Sequence, residues 1–282
     1  MSGLESIESF KEEHFEHPPN IPVVVAVANE SVGPIFLEAD KAVSKFEAED
    51  TQPMDHVYSL AIQAKDYYDK GNLDAAYEVY WQILQMNVYD KNVLFEAYKN
   101  LGNIFLKEGD YEEAEELFNK ARTLRPESDA LFVNYGVLEV QRKNLGKARD
   151  HFRNALDLNC KNDSAWVGLA LVHREFGDMD LAWANLERAL DENKANQTAL
   201  AVTLDWGIRD HKLDKAARRI RTYISEISDT KDMRLSLAKV LFCSGNFVDA
   251  KREAEIVLKR DLNDADALRL VKVIDREVLN RE

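Results

Sequence analysis

Residues 98–126 read YKNLGNIFLKEGDYEEAEELFNKARTLRP, and the rest of the chain repeats their plan. A large apolar residue, Tyr98, is followed four positions on by a small one, Gly102. Gly109 and Asp110 then interrupt the pattern, and Tyr111, Ala114 and Phe118 resume it. The same columns return in both directions. Ala76, Ala114, Ala148, Ala182, Ala216 and Ala250 stand 38, 34, 34, 34 and 34 residues apart. Five positions before each lie Gly71, Gly109, Lys143, Gly177, His211 and Gly245. Directly after these come Asn72, Asp110, Asn144, Asp178, Lys212 and Asn246, then Leu73, Tyr111, Leu145, Met179, Leu213 and Phe247. Self-similarity at such a period marks stacked supersecondary units.

Each column has a physical meaning. The Gly column suits a left-handed turn residue between two helices. Five of the six residues that follow carry a side-chain oxygen able to cap the second helix. The Ala column on the second helix (helix B), and the small residues Ala64, Gly102, Gly136, Ala170 and Ala238 on the first (helix A), allow close approach. Large apolar residues flank them: Leu60, Tyr98, Phe132, Trp166 and Leu200 on A, Tyr80, Phe118, Phe152, Leu186 and Ile220 on B. Large side chains set against small ones at helical spacing predict paired helices.

Large at the fourth position, small at the eighth, small again on helix B and Pro near the end: this pattern resembles the tetratricopeptide repeat (TPR), whose period is also 34. The resemblance implies an all-α fold, an α-solenoid coiled into a right-handed superhelix with a concave groove. Six repeats are expected at 57–90, 95–128, 129–162, 163–196, 197–230 and 231–264, with a capping helix at 265–282 and an apolar stripe of Leu268, Val271, Ile274 and Val278. Repeat five departs at Leu204, Gly207 and His211, and repeat six carries Arg234 where a large apolar residue is usual. Four extra residues near Lys91–Leu94 lengthen a helix or its connection. Residues 1–56 form an acidic extension with an apolar segment at 21–28 (IPVVVAVA), a helix at 34–49 ended by Gln52–Pro53, and three prolines, Pro18, Pro19 and Pro22, that break any earlier helix.

Composition narrows the function. Eleven glycines and six prolines in 282 residues disfavour an all-β fold, and two cysteines, Cys160 and Cys243, are too few for a disulfide scaffold. The net charge of −14 is concentrated in residues 1–56, which hold 12 acids and 3 bases. A nearly balanced body disfavours general electrostatic binding to nucleic acid or anionic lipid. No apolar run is long enough to span a bilayer, and the acidic start is not a signal peptide, so a cytoplasmic protein is expected. No phosphate loop, G-x-S-x-G or H-E-x-x-H is present. His14 and His17 supply only part of a ligand set. No enzyme activity, metal or cofactor is expected.

The TPR resemblance instead implies a protein-interaction adaptor, with a partner peptide or helix held on the A-helix face. Lys65, Tyr68, Lys99, Asn103, Asn134, Val133, Val137, Val140, Val167, Leu171 and Arg174 are the residues placed there. Val133, Val137, Val140, Val167 and Leu171 predict an apolar centre that a ligand covers, or else one that superhelical curvature buries. Co-chaperones of this family hold a carboxylate with Lys and Asn, then Asn, then Lys and Arg on three successive repeats. Lys99, Asn103 and Asn134 match the first three positions. Ser164 and Gly168 stand at the last two, so two cations are missing. Two alternatives are a nucleic-acid-associated protein using the basic helix 212–221, and a self-associating module. The segment 21–28 either caps repeat one or occupies the groove.

Overall fold

The computed structural model describes residues 51–280. The acidic extension, the segment 21–28 and the helix expected at 34–49 lie outside the described residues. The described part falls into two compact units, 51–183 and 184–280. Among the described residues every regular element is an α-helix. The helices alternate as A and B: α1 (Thr51–Asp69), α2 (Leu73–Gln85), α3 (Lys91–Glu108), α4 (Tyr111–Leu124), α5 (Asp129–Gln141), α6 (Leu145–Leu158), α7 (Asp163–Glu175) and α8 (Met179–Glu192). The division between the units falls inside α8. There follow α9 (Gln197–Arg209), α10 (Leu213–Glu226), α11 (Lys231–Cys243), α12 (Phe247–Arg260) and α13 (Ala265–Leu279). This is an all-α helical-repeat fold.

The turn column behaves as its glycines suggest. Gly71, Gly109, Gly177 and Gly245 have φ of 76°, 94°, 80° and 80°, and Lys143 and His211 adopt the same hand at 62° and 55°. The next residue's N–H reaches back five positions: Asn72 to Tyr67, Asp110 to Phe105, Asn144 to Glu139, Asp178 to His173 and Asn246 to Leu241, at 2.8–2.9 Å. These bonds cap the outgoing A helix. A side chain with a Cβ is strained in this conformation, so Lys143→Gly should raise the unfolding free energy by up to about 1 kcal/mol, read by thermal or urea denaturation.

The helix starts differ in part from expectation. Asn72, Asp178 and Asn246 do cap their B helices, but Asp110 and Asn144 make no side-chain cap bond. Asn144 instead donates to Glu139 at 2.8 Å. The stronger caps start the A helices. Asp90, Ser128, Asn162, Asn196, Thr230 and Asp264 each accept from the N–H three residues on. That column repeats with the same 38- and 34-residue steps.

Helix boundaries add two details. The helix of repeat one is described from Thr51 onward and includes Pro53. The extra residues near Lys91–Leu94 lengthen α3 to 18 residues, against 13 for α5, α7, α9 and α11.

Close approach decides the packing within residues 51–183. A Cβ on Gly102 would lie 2.5 Å from the Phe118 ring. One on Gly136 would lie 2.5 Å from Phe152, and one on Gly168 2.4 Å from the same ring. Phe152 is therefore wedged between the A helix of its own repeat and that of the next. In the second unit Gly207, the odd residue of repeat five, lets Ala216 approach to 2.7 Å of the missing Cβ position. Burying an aromatic against glycine backbone joins repeats through apolar area removed from water.

Polar links recur at nearly the same period. Tyr58 donates to Asp90 (2.7 Å), Arg125 to Asn92 (2.7 Å), Asn159 and Asn162 to Asp129 (2.7 and 3.0 Å), Lys194 to Glu226 (2.5 Å) and Arg260 to Asp229 (2.5 Å). The Asp90 carboxylate that accepts the Tyr58 phenol, together with burial, pushes its pKa to about 12. Arg234, the polar intruder of repeat six, donates to Asp229 through Nε and Nη2 (both 2.7 Å) and to Glu253 through Nη1 (2.5 Å). Hydrogen bonds from Arg234 and then Arg260 hold the Asp229 carboxyl far below its usual value. The arginine thus replaces an apolar contact with a bidentate ionic one.

The last helix is rotated from the stripe read in the sequence. Ala267, Leu270, Ile274 and Glu277 face inward, while Leu268 and Val278 are exposed. Trp81 is 42% exposed and stacks on Tyr77.

Candidate functional site

The residues singled out for partner binding lie on α1, α3, α5 and α7, within residues 51–183. The burial of three of them follows the second of the two alternatives, enclosure within the helix stack. Val133, Val137 and Val167 are 0%, 1% and 1% exposed. Val133 and Val137 join one apolar cluster with Phe95 and Leu106 of α3, Leu131 and Leu138 of α5 and Val172 of α7. Aliphatic side chains of successive A helices that meet each other are removed from water. There is no open apolar patch at these three valines; Val140 and Leu171 are half-buried.

The polar members of the face are also buried. Asn103 is 2% exposed and Asn134 1%, and neither Oδ1 has a hydrogen-bond partner. Tyr68 is 7% exposed, with the Asn103 side chain beside its phenol. Burial pushes the Tyr68 phenol well above its ordinary pKa. The Lys107 ammonium sits over the Tyr68 ring, 4.6 Å from its centre, and partial burial holds its pKa below the usual lysine value. Two successive A helices, α3 and α5, therefore each carry a buried carboxamide oxygen that can accept a hydrogen bond and receives none. Buried groups of this kind are uncommon in folded proteins.

The cations are engaged. Lys65 pairs with Asp69 at 2.9 Å. Lys99 pairs with Glu96 at 2.7 Å and is 5% exposed. Arg125 shares Glu96 at 3.8 Å and lies over the Phe95 ring. Arg174 is half-buried. At Gly168 the Phe152 ring fills the space a side chain would take. One of the two absences noted in the sequence thus has a structural basis, since the Phe152 ring takes the place of a side chain at Gly168, and the charge of Lys99 is already balanced. The face does not have the electrostatics of a carboxylate clamp.

Three cations of the basic helix are held by carboxylates as well. Within residues 184–280, Glu187 accepts from Lys215, Arg218 and Arg219 at 3.0, 3.1 and 3.1 Å, and Asp191 pairs with Arg219 at 2.7 Å. Against the upward push of burial, Lys215, Arg219 and Arg218 hold the Glu187 pKa below its ordinary value. These cations tie α8 to α10.

His151 stacks on Tyr135 (5.3 Å between ring centres) and its Nδ1 has no partner. Burial lowers its pKa, outweighing the upward pull of Glu139 and Asp150; Arg122 and Lys147 add to the lowering. The folded chain therefore favours the neutral ring. The associated stability is complete above the unfolded histidine pKa of about 6.5 and falls as the pH drops below it. Urea titrations from pH 7.5 to 5 should show this loss, and His151→Gln should reduce it.

Among the described residues no group of three or more His, Cys, Asp or Glu side chains is placed to hold a metal. No helix among them is long and apolar enough to cross a membrane.

Tetratricopeptide-repeat profiles match residues 54–82, 95–128 and 136–198. The chain is 30% identical over 135 residues to the human protein O-mannosyl-transferase TMTC3, covering 46% of this chain and 15% of that protein. It is 29% identical over 167 residues to the mouse BBSome complex member BBS4, covering 59% of this chain and 31% of that protein. The chain thus spans under a third of the length of these relatives. Among solved structures, PilF of Pseudomonas aeruginosa aligns with a TM-score of 0.52 at 14% identity, over 76% of this chain and 95% of that one. The type IV pilus biogenesis factor PilW aligns with a TM-score of 0.55 at 19% identity, over 79% and 100%. These structural likenesses speak to the fold alone. With the left-handed turn column and the small-residue columns, these matches identify the matched residues as tetratricopeptide repeats.

Proposed function

We propose that the chain is a non-catalytic protein-interaction scaffold that holds an extended segment of a partner along the A-helix face of residues 51–183. The observation that carries this reading is the pair of buried carboxamide oxygens on adjacent A helices, Asn103 Oδ1 and Asn134 Oδ1, both without a donor. Main-chain N–H groups of an extended segment supply such donors at regular spacing. Asparagine also offers an N–H to the neighbouring carbonyl, so the same side chain reads both halves of a peptide unit. Half-buried Val140 and Leu171 flank this row with apolar area. The reading rests on main-chain recognition, because three of the five apolar residues expected to contact a ligand are enclosed. BBS4, similar over 59% of this chain, is by name a member of a complex, which agrees with a scaffold role.

The test is affinity capture from the cells the protein comes from, using full-length tagged chain. A partner recovered by the wild type should fall at least tenfold with Asn103→Ala plus Asn134→Ala, while Arg221→Glu on α10 leaves it unchanged. Equal recovery by the folded double variant would overturn the proposal.

A further inference from the structure

We infer that Lys107 and Tyr68 together seat the side-chain carboxylate of an aspartate or glutamate in the partner's extended segment, so that this face selects a segment with one acidic residue in a set register. This rests on the groove reading above and names the chemistry of its partner. Lys107 stands one helical turn beyond Asn103 on α3, and its ammonium lies 4.6 Å from the centre of the Tyr68 ring on α1. Neighbouring lysines are closed by carboxylates: Lys65 holds Asp69 at 2.9 Å, Lys70 holds Asp66 at 2.8 Å and Lys99 holds Glu96 at 2.7 Å. Among the described residues no carboxylate closes Lys107. Burial acts on its pKa and lowers it, with no anion pulling the other way. The residue is still exposed, so a ligand can reach it. A partly desolvated cation without a counter-charge gains from an arriving anion.

Tyr68 supplies the second contact. Burial raises its pKa, and a hydrogen bond from Asn103 opposes that rise. A bond that lowers a phenol's pKa is one donated to its oxygen. Asn103 Oδ1 receives no donor, so the phenol does not give its proton there. The Tyr68 O–H therefore has a proton to donate and no acceptor among the described residues. A carboxylate only accepts, and its two oxygens can take charge-assisted bonds from an ammonium and a hydroxyl. One cation and one hydroxyl balance a single negative charge, whereas a phosphate carries about −1.5 to −2 and would be left in excess. The position also favours a side chain over a chain terminus. The free oxygens of Asn103 and Asn134 lie on α3 and α5 and define the line of the partner's main chain. Lys107 stands about 6 Å off that line along α3, four residues at 1.5 Å each. A side chain reaching sideways from a passing backbone spans that offset.

The test uses the full chain and three synthetic probes: acetyl-SASVEVSAS-amide, the same peptide with glutamine in place of its glutamate, and that glutamine peptide with a free C-terminal carboxylate. Binding is read by NMR titration, which reaches millimolar Kd and reports folding of each variant. The glutamate probe should bind wild type at least tenfold more tightly than the glutamine probe. Lys107→Met should reduce that preference to less than twofold, and Tyr68→Phe should reduce it at least threefold. Lys161→Met, between α6 and α7, should leave it intact. Molar salt should narrow it. Equal affinity for the two amidated probes, no binding of the glutamate probe at millimolar concentration, or a preference that survives Lys107→Met overturns the inference. Tighter binding of the free-terminus probe than of the glutamate probe overturns it as well. A preference lost with Lys107→Met, combined with affinity that Asn134→Ala does not change, keeps this inference and rejects main-chain recognition along the row. Affinity that falls with Asn134→Ala but shows no preference for glutamate keeps the groove reading and rejects this inference.

Discussion

Phe152→Ala should lower the unfolding free energy by about 3–5 kcal/mol, the range for deleting a fully enclosed aromatic. Phe152 is 0% exposed, and its ring lies against both Gly136 and Gly168. The cavity would open between repeats three and four, where the next A helix rests on the previous B helix. The reciprocal substitution is equally informative. Gly168→Ala adds one methyl, at a point where the ring atoms stand 2.4 Å from its position. Helix propensity alone makes this exchange favourable by about 1 kcal/mol. Overpacking costs about 1–3 kcal/mol and should win, because the enclosed ring has nowhere to shift. Phe152→Leu combined with Gly168→Ala should recover part of the loss, since the shorter side chain leaves room for the methyl. Urea denaturation of the two single variants and the double variant measures the coupling. A neutral or stabilising Gly168→Ala would contradict the wedge.

The second large effect is electrostatic. Glu187→Gln should cost about 2 kcal/mol, because hydrogen bonds to charged groups are worth about 1.5–3 kcal/mol and one carboxylate receives three cations. Arg219 is the sensitive member: its side chain is 13% exposed, and only Asp191 would remain to balance it. The Glu187 pKa is depressed in the folded chain. Its contribution is therefore full above the unfolded carboxyl pKa of about 4.3 and is lost as the pH falls through the folded value. Wild type should weaken below about pH 4 with a steeper slope than Glu187→Gln, and molar salt should narrow the difference. An exposed control, Glu113→Gln, should change stability by less than about 0.5 kcal/mol. Identical acid limbs for wild type and Glu187→Gln would refute the node.

Much of this architecture is legible in the residues because the determinants are local. A left-handed turn, a small residue opposite a large one and a 34-residue step are properties of short stretches. Lys143 and His211 follow their glycine neighbours into the left-handed region, as their register implies. The A-helix caps at Asp90, Ser128, Asn162, Asn196, Thr230 and Asp264 are equally periodic, and the same column comparison would have found them. Other features are not local. Whether Val133 meets water depends on how the neighbouring A helices converge, which no single repeat encodes. Gly168 reads as a missing cation until Phe152, on the preceding helix, is seen to fill its place. Arg234 reads as a defect until Glu253, from the next helix, is seen to join Asp229 in binding it. The charge run on α10 looks available in the sequence because Glu187 lies nearly thirty residues away.

The most direct measurement is site-specific photo-cross-linking in the intact chain. A photoreactive residue at Leu171, on the A-helix face, is compared with one at Arg221, on a B helix. Adducts from Leu171 that map to one extended stretch of a bound protein, and that vanish with Asn103→Ala plus Asn134→Ala, are the predicted result. Adducts to that protein from Arg221 alone would contradict the account.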